Sequence, residues 1–211
     1  MRIDVWSDIA CPWCYLGKHR IERALAQFGG EHEIVFHAFE LDPSTPKTYD
    51  DGLTHTDRLA KKFGRSPAEV ETMHARMWRM GTEDGIDFHF DRVKGGNTFD
   101  AHRLVQLGLT RGVQNAVKER LMKAYFSDGE PIADREALVR LAAEAGLDAN
   151  EAREMLASDR FTEEVRADEA QAQELGVTGV PFFVLGGKVG VPGAQPIDVL
   201  LQALAQAQAR S

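Results

Sequence analysis

The chain has 211 residues, of which 43% are hydrophobic and 27% charged, and its formal net charge is −8. This length suffices for one large domain or for a core domain with a substantial insertion. The excess of negative charge argues against non-specific binding to nucleic acids and against docking on anionic membranes, because both need basic patches. No apolar run approaches the ~20 residues of a membrane-spanning helix, so we expect no contact with a membrane.

The N-terminal segment predicts a strand that begins almost at once. Residues 2–7 alternate apolar Ile3 and Val5 with charged side chains, which is the period of a β-strand. Met1 runs directly into this strand, without the apolar segment and small-residue cleavage site of a secretory signal. We therefore expect a cytoplasmic protein, unless a leader has been removed.

A helix and a second strand follow the first. After a break at residues 7–8 comes the sequence Cys-Pro-Trp-Cys at positions 11–14, and apolar residues then recur at helix spacing up to the glycines at 29–30. Residues 33–39 are rich in β-branched and aromatic side chains and predict the second strand. Strand, helix and strand in this order predict a βαβ unit with a parallel strand pair.

The long middle segment has helical patterns almost throughout. Asn97 is predicted to cap a helix that ends near Gly108. The methionines at 73, 77 and 80 lie at helix spacing and are interpreted as core. Since no fixed repeat length is present, the segment is predicted to be a helical insertion.

The last fifty residues return to a mixed pattern. They predict a polar helix over 161–175, a strand over 177–184 entered through Pro181, a tight turn at the glycine pair 186–187, a return strand over 188–191 and an amphipathic helix opened by Pro196. The predicted fold is therefore α/β, with a βαβ–αββα frame and a large all-helical insertion. We expect the frame to comprise residues 1–52 and 159–211, and the insertion residues 53–158.

Cys11 and Cys14 are the only cysteines of the chain. A bridge between them would close almost no loop and add little stability, and a structural disulfide would not persist in a reducing cytosol. Pro12 suits the first helical position, so Cys11 is expected at the helix start, where free N–H groups and the helix dipole favour a thiolate. We predict an exposed nucleophile at Cys11 and a buried resolving thiol at Cys14. Because Trp13 has no charge, we expect a less oxidising pair than one with histidine there.

Two other interpretations of the pair were weighed. A zinc site needs two further ligands, but no other cysteine exists and the seven histidines lack zinc-site spacing. An inert buried pair is the second alternative. Redox chemistry is favoured because the motif follows a strand and opens a helix.

The residues alone allow two interpretations of Pro181. Proline is tolerated at the first residue of a strand, so it can simply mark the strand entrance. Alternatively, the Val180–Pro181 bond is cis, as in about 5–6% of X–Pro bonds, which would turn the Val180 backbone outward to pair with an extended substrate. Both readings stay open at this point.

Four stretches of the chain resemble the DsbA family of the thioredoxin superfamily. They are residues 7–14 (SDIACPWC), 97–103 (NTFDAHR), 176–183 (GVTGVPFF) and 193–196 (GAQP). Within that family the chain most resembles the FrnE-like branch, which is related to 2-hydroxychromene-2-carboxylate isomerases and kappa-class glutathione transferases. The resemblance covers essentially the whole chain.

The resemblance implies a thioredoxin fold, with Cys11 as nucleophile, Cys14 as resolving thiol and Pro181 as a cis-proline facing them. The residues expected to contact substrate are Pro12, Trp13, Gly179, Val180 and His102. His102 belongs to a family-like stretch and is interpreted as a wall of the substrate groove. Asp8 lies near the motif and is interpreted as a loop or surface residue, although a buried carboxylate there could accept the proton of the resolving thiol.

Three functions follow as hypotheses. The first is thiol–disulfide exchange with thiol- or disulfide-containing proteins or with glutathione, without a metal or a tightly bound cofactor. Retention of both cysteines favours it, since the isomerase and transferase relatives generally carry one serine or cysteine and use glutathione. The second is a glutathione-dependent isomerase of the 2-hydroxychromene-2-carboxylate type, and the third is a non-catalytic, client-binding holdase with an apolar cleft in the helical block. A homodimer is left open.

Overall fold

A four-stranded sheet forms the centre of the computed structural model, which describes residues 1–210. Its strands are β1 (Arg2–Ser7), β2 (Glu33–Ala38), β3 (Phe182–Leu185) and β4 (Val189–Pro192). They lie in the order β2-β1-β3-β4, with β1 parallel to β2 and β3 antiparallel to both β1 and β4. This arrangement confirms the predicted thioredoxin fold.

The helices surround the sheet and fill the insertion. Those within the described residues are α1 (Pro12–Phe28), α2 (His55–Phe63), α3 (Pro67–Glu83), α4 (Phe99–Thr110), α5 (Gln114–Lys123), α6 (Arg135–Glu144), α7 (Ala149–Ala157), α8 (Thr162–Glu174) and α9 (Ile197–Ala209). A π-helical turn over Ala124–Asp128 continues α5. The segment between β2 and α8 is helical, as predicted, and none of these helices is long and apolar enough to cross a membrane.

Local sequence fixes several helix starts. Thr54 and Ser66 each form a capping box, with Asp57 and Glu69 respectively, at the starts of α2 and α3. In each box the hydroxyl accepts the amide of the third helical residue, and that residue's carboxylate accepts the amide of the cap. The two helices that open the insertion therefore begin where their own side chains satisfy the free backbone groups.

The start of α4 differs from the prediction. Its N-cap is Thr98 rather than Asn97, and Thr98 makes no side-chain cap. Asn97 still contributes, because its side-chain oxygen accepts the amide of Phe99 at 2.9 Å. The helix also continues past Gly108 to Thr110. Gly108 does not end the helix but lies where α4 meets α5, and a Cβ there would be 3.1 Å from the Gln114 backbone.

The sheet is covered on both faces. On one face Ile3, Val5 and Phe183 join the main hydrophobic core, together with residues of α1 and α9. On the other face Trp6 packs with Ala172 of α8 in a small separate cluster. Alternate residues of each strand thus serve the two layers, as the strand period requires.

The main core continues from the sheet into the helical segment. Leu16 of α1 belongs to the same hydrophobic cluster as Leu121 of α5 and Phe126 of the π-turn. Of the methionine row only Met77 is buried, while Met73 is 40% exposed, so the expected core row is core in part. The division into a frame and an insertion domain stays a prediction, and the continuous core shows that the helical segment packs directly on the frame.

Candidate active site

The two cysteines stand where β1 passes into α1. Cys11 is the N-cap of α1, in an extended conformation, and Pro12 occupies the first turn. The amides of Cys14 and Tyr15 donate to the Cys11 carbonyl at 3.0 and 3.2 Å. Cys11 is therefore at the helix start, as predicted, where backbone N–H groups and the helix dipole favour negative charge.

The two thiols are adjacent, unbridged and buried. Both are free, and the Cys14 thiol is within hydrogen-bonding contact of Cys11. Cys11 is 3% exposed and Cys14 1% exposed. The burial of Cys11 corrects the prediction of an exposed nucleophile: its sulfur lies 3.7 Å from the Val180 carbonyl, towards which it donates. A partner must therefore approach along the edge formed by Val180.

The Val180–Pro181 peptide bond is cis, which settles the two readings of Pro181. The Pro181 carbonyl accepts the amide of Gly193 at 2.8 Å, so the residues after β4 support this loop. Gly17 of α1 permits the close approach from the other side, because a Cβ there would be 2.9 Å from the Pro181 ring. Sequence reasoning missed Gly17; a glycine far from either helix end was the available signal.

Several of the expected substrate-contacting residues gather around Cys11. Trp13 is 40% exposed, Gly179 is exposed, and Pro12 and Val180 are half-buried. They form an accessible rim around a sulfur that is itself almost covered. The structure thus places Val180 against Cys11 and leaves Pro12, Trp13 and Gly179 accessible beside the pair, while their contact with substrate stays a prediction.

Comparison with known proteins agrees with this geometry. The family model of the DsbA-like thioredoxin domain matches residues 2–205. The chain belongs to the DsbA-like thioredoxin family. The structure is similar to that of a probable DsbA oxidoreductase from Streptomyces coelicolor, with a TM-score of 0.94 and 43% identity over 100% of this chain and 91% of the other.

Two more distant structures share the fold. A 2-hydroxychromene-2-carboxylate isomerase is 19% identical, with a TM-score of 0.74 over 100% of this chain and 97% of the other. The cytosolic disulfide reductase DsbM from Pseudomonas aeruginosa is also 19% identical, with a TM-score of 0.68 over 100% and 99% of the two chains. At these identities both likenesses are likenesses of fold alone.

Asp8 and His102 form a buried pair behind the motif of this DsbA-like chain. Asp8 is 2% exposed and accepts the Leu41 amide at 2.8 Å, which corrects its interpretation as a loop or surface residue. His102 Nε2 lies 3.3 Å from the Asp8 carboxylate. Although burial alone raises the pKa of Asp8, the hydrogen bond and charge of His102 hold that pKa below its usual range. Asp8 is therefore ionised behind the pair.

His102 does not line a substrate groove. It is 1% exposed, because α4 packs its side chain inward against Asp8. This burial corrects the expectation that His102 contacts substrate. Alone among the expected contact residues, it lies one layer behind the pair.

Lys118 of α5 is a buried cation that sequence reasoning missed. It is 0% exposed, and its ammonium donates to the Ser7 carbonyl at 3.2 Å and lies 5.8 Å from the centre of the Phe36 ring. Burial lowers the pKa of Lys118 to about 8, although the negative charges of Cys14, Asp8 and Cys11 act to raise it. Its position on α5 gave no signal, because a lysine within a polar helix usually lies on the surface.

The pKa of Cys14 is shifted upward, in the opposite direction to that of Lys118. Burial and the neighbouring Cys11 raise the pKa of Cys14 well above its usual value, while the charge of Lys118 lowers it. Even with Lys118 nearby, the resolving thiol of the dithiol form is therefore held protonated. Among residues 1–210, no three His, Cys, Asp or Glu side chains are grouped so as to hold a metal ion.

A second charged cluster surrounds Lys18, one turn further along α1. Its ammonium donates to Glu22 at 2.9 Å and to Glu119 at 2.7 Å. Glu119 also accepts from the Tyr15 hydroxyl at 2.8 Å and lies 3.3 Å from His19. Burial alone raises the pKa of Glu119, but His19 and Lys18 bring it down to about 2. Each charge of this cluster has a partner of opposite sign.

Proposed function

We propose that this protein is a thiol–disulfide oxidoreductase in which Cys11 and Cys14 exchange a disulfide with protein or small-thiol substrates. The observation that carries the proposal is the pair of adjacent free thiols at the start of α1, beside the Val180 carbonyl and cis-Pro181. Membership of the DsbA-like family supports it. The pair itself carries the redox chemistry, and no tightly bound cofactor is invoked.

The exchange runs in two displacements. The Cys11 thiolate attacks one sulfur of a substrate disulfide, a Cys11–substrate disulfide forms, and the other substrate sulfur leaves as a thiolate. Cys14, as a thiolate, then attacks the Cys11 sulfur, and the second substrate sulfur leaves. The pair ends oxidised and the substrate reduced, and the same steps run backwards when the substrate is a dithiol.

The residues around the pair have distinct tasks in this proposal. The helix start stabilises the anionic form of Cys11. The Val180 backbone, presented by cis-Pro181, pairs with an extended substrate, and Trp13, Pro12 and Gly179 form the surface on which that substrate lies.

Reduction of glutathione disulfide and of insulin tests the proposal. We expect Cys11→Ser to reduce exchange to background, because the attacking sulfur is lost. Cys14→Ser should instead accumulate a mixed disulfide at Cys11, detectable by mass spectrometry under non-reducing conditions. Absence of exchange by the unaltered protein with both substrates, while both thiols remain titratable, would refute the proposal.

Glutathione is the small thiol that we propose as co-substrate. DsbM from Pseudomonas aeruginosa has been crystallised with GSH, which supports this choice. We further propose that exchange takes place in the cytoplasm, where glutathione is abundant and where DsbM is described as acting. Labelling of the thiols in intact cells by a membrane-permeant maleimide, but not by an impermeant one, is the result expected for this location, and equal labelling by both reagents would contradict it. A homodimer stays a prediction, which sedimentation would decide.

The glutathione-dependent isomerase remains the second candidate. The shared fold with 2-hydroxychromene-2-carboxylate isomerase supports it, but that likeness is one of fold alone. An isomerase of this kind needs glutathione and one activating group, so its turnover should survive Cys14→Ser. Loss of isomerisation in Cys14→Ser would remove this alternative.

The holdase alternative requires an apolar cleft. Two surface grooves of about 630 and 490 Å³ are lined largely by charged and polar side chains, including His19 and Glu119 in both. This lining does not favour capture of unfolded apolar segments. Protection of unfolded clients by the Cys11→Ser, Cys14→Ser double variant would restore the hypothesis.

A further inference from the structure

Lys118 is exceptional among the buried charges because it lacks a carboxylate partner in hydrogen-bond contact. Within residues 1–210 its ammonium donates to the Ser7 carbonyl alone, although an ammonium has three donors. A fully buried and incompletely paired charge is costly. A residue kept in this state calls for an explanation beyond packing.

The titratable groups that face Lys118 belong mainly to the redox centre. Cys11 and Cys14 face it from the start of α1, and Asp8 faces it from the turn that precedes that helix. Lys18, further along α1, is the like charge that faces it. From β1 and β2 it meets only the Ser7 carbonyl and the Phe36 ring. The Ser7 carbonyl that the ammonium contacts directly precedes Asp8, whose own carbonyl accepts the Cys11 amide, so Lys118 lies behind the redox pair.

Building on the proposed exchange function, we propose that Lys118 is the positioning residue that stabilises Cys14 as a thiolate during resolution of the mixed disulfide. Lys118 lies on α5, so the helical segment supplies part of the redox centre rather than only a substrate surface. Asp8 and His102, already paired with each other, complete the charged wall behind the two sulfurs.

The resolving step balances with this assignment. Cys14 loses its proton to solvent, and the ammonium of Lys118 offsets the resulting negative charge inside the protein. The electron pair of the Cys14 sulfur forms the bond to Cys11, the bond from Cys11 to the substrate sulfur breaks, and the substrate leaves as a thiolate that takes a proton from water. Once Cys14 is neutral in the disulfide, Lys118 has lost its compensating anion and holds its own proton less strongly.

The decisive experiment follows resolution alone. Protein with a free Cys14 thiol and a preformed disulfide between Cys11 and glutathione is prepared at low pH. It is then moved to a series of higher pH values, and the rate of glutathione release is measured at each pH. Lys118→Met keeps the length and apolar stem of the side chain without its charge. We expect its pH profile to move to higher pH and its rate at neutral pH to fall about tenfold, equivalent to one pH unit.

Lys18→Met is the matched control. Lys18 is 3% exposed and lies on α1, but its ammonium pairs with Glu22 and Glu119. We expect this variant to lose stability and to move the pH profile of resolution much less than Lys118→Met does, because the Lys18 ammonium contacts two carboxylates. Identical profiles for the unaltered protein and a folded Lys118→Met variant would overturn the inference, because a structural role would change only the melting temperature.

A second measurement does not depend on folding of a variant. Lysine labelled with ¹³C at the ε-carbon reports the protonation of Lys118 by NMR. The Lys118 signal is assigned by its absence from the spectrum of Lys118→Met. We expect the Lys118 signal to titrate at higher pH in the dithiol form than in the disulfide form, and equal midpoints would overturn the inference. If the unaltered protein shows no exchange, the proposed function fails, while the NMR result still decides whether Lys118 responds to the redox state.

Discussion

Two buried lysines, Lys18 on α1 and Lys118 on α5, differ in how they are paired. Lys18 is 3% exposed and donates to two carboxylates, whereas Lys118 is 0% exposed and donates to one carbonyl oxygen. The charges around Lys18 are paired with one another, because Glu119 contacts the side chains of a lysine, a tyrosine and a histidine. The cluster around Lys118 is complete only when Cys14 is an anion. Full pairing thus marks a structural cluster, and incomplete pairing marks the region where charge changes during the reaction.

Asp8→Asn should give the largest effect, because it removes the anion of the incompletely paired cluster. The amide nitrogen cannot accept the Leu41 amide or face His102 as the carboxylate does. We expect the free energy of unfolding to fall by about 3–5 kcal/mol, the usual effect of breaking a buried charge pair. Urea denaturation measures it. Asp42→Asn, in a partly exposed aspartate that pairs with Lys62, is the control, and an equal loss in both variants would contradict the assignment.

The alkaline dependence of stability should distinguish Lys118 from a paired lysine. Burial lowers the pKa of Lys118 from 10.5 to about 8, so between these values the unfolded chain binds a proton that the folded protein has lost. Stability attributable to this group therefore rises with pH through that window, by up to about 3 kcal/mol.

The measurement compares the unaltered protein with Lys118→Met, both oxidised so that no thiol titrates. Because the disulfide form lacks the thiolate charges that raise the pKa of Lys118, the increase in the unfolding free energy of the unaltered protein relative to the variant should begin at or below about pH 8 and continue towards pH 10.5. A difference that stays constant over this range would show that Lys118 is not a depressed, buried lysine.

Glu119→Gln should break the complete cluster with a smaller effect. The Glu119 side chain is 35% exposed, so solvent screens part of the loss. We expect a decrease of about 1–2 kcal/mol in the unfolding free energy, since Lys18 retains Glu22. Exchange with glutathione should stay unchanged. A large change of the exchange rate at constant folding would mean that this cluster also serves the reaction.

The smallest effect is expected at a third charged cluster, on the opposite face of the sheet. His37 lies between Asp168 at 2.6 Å and Asp4 at 2.8 Å. Burial lowers the pKa of His37, but the two carboxylates raise it above 6.5 overall. Its contribution to stability is therefore full below pH 6.5 and is lost as pH rises through the raised value. Thermal melts across neutral pH should show this shallow decline, and His37→Gln should reduce it to the part that His19 contributes, since Glu119 raises the pKa of His19 as well.

Most of the fold was predictable from local patterns. The cysteine motif at a strand–helix junction and the glycine-terminated helix have local causes and lie where the sequence indicates. The two-glycine turn also lies as predicted, but β3 is Phe182–Leu185 rather than residues 177–184, and β4 begins at Val189 rather than at residue 188. Helix boundaries were less certain: Gly108 was expected to end its helix, but it is enclosed by Gln114 and Val117 of the next one. Contact between two helices, which no local pattern contains, decided that boundary.

The candidate site was predictable in its sulfurs and not in its surroundings. Residues 11–14 are contiguous, so their chemistry could be argued from spacing alone. Asp8 and His102 are 94 residues apart in sequence, and Lys118 lies 111 residues from the carbonyl that it contacts. Their burial arises from the packing of α4 and α5 against the motif. The same packing explains why His102 is buried, whereas Cys11 is covered from the side of Val180, whose carbonyl lies 3.7 Å from its sulfur.

By itself the sequence determined the order of elements, the reactive pair and the residues next to it, because strand period, helix caps and thiol chemistry act over a few residues. Only the tertiary structure decided which charges surround the pair. Whether an aspartate, a histidine or a lysine is solvated or buried depends on chain segments far away, and burial is what converts an ordinary surface charge into one that controls the proton of a neighbouring sulfur.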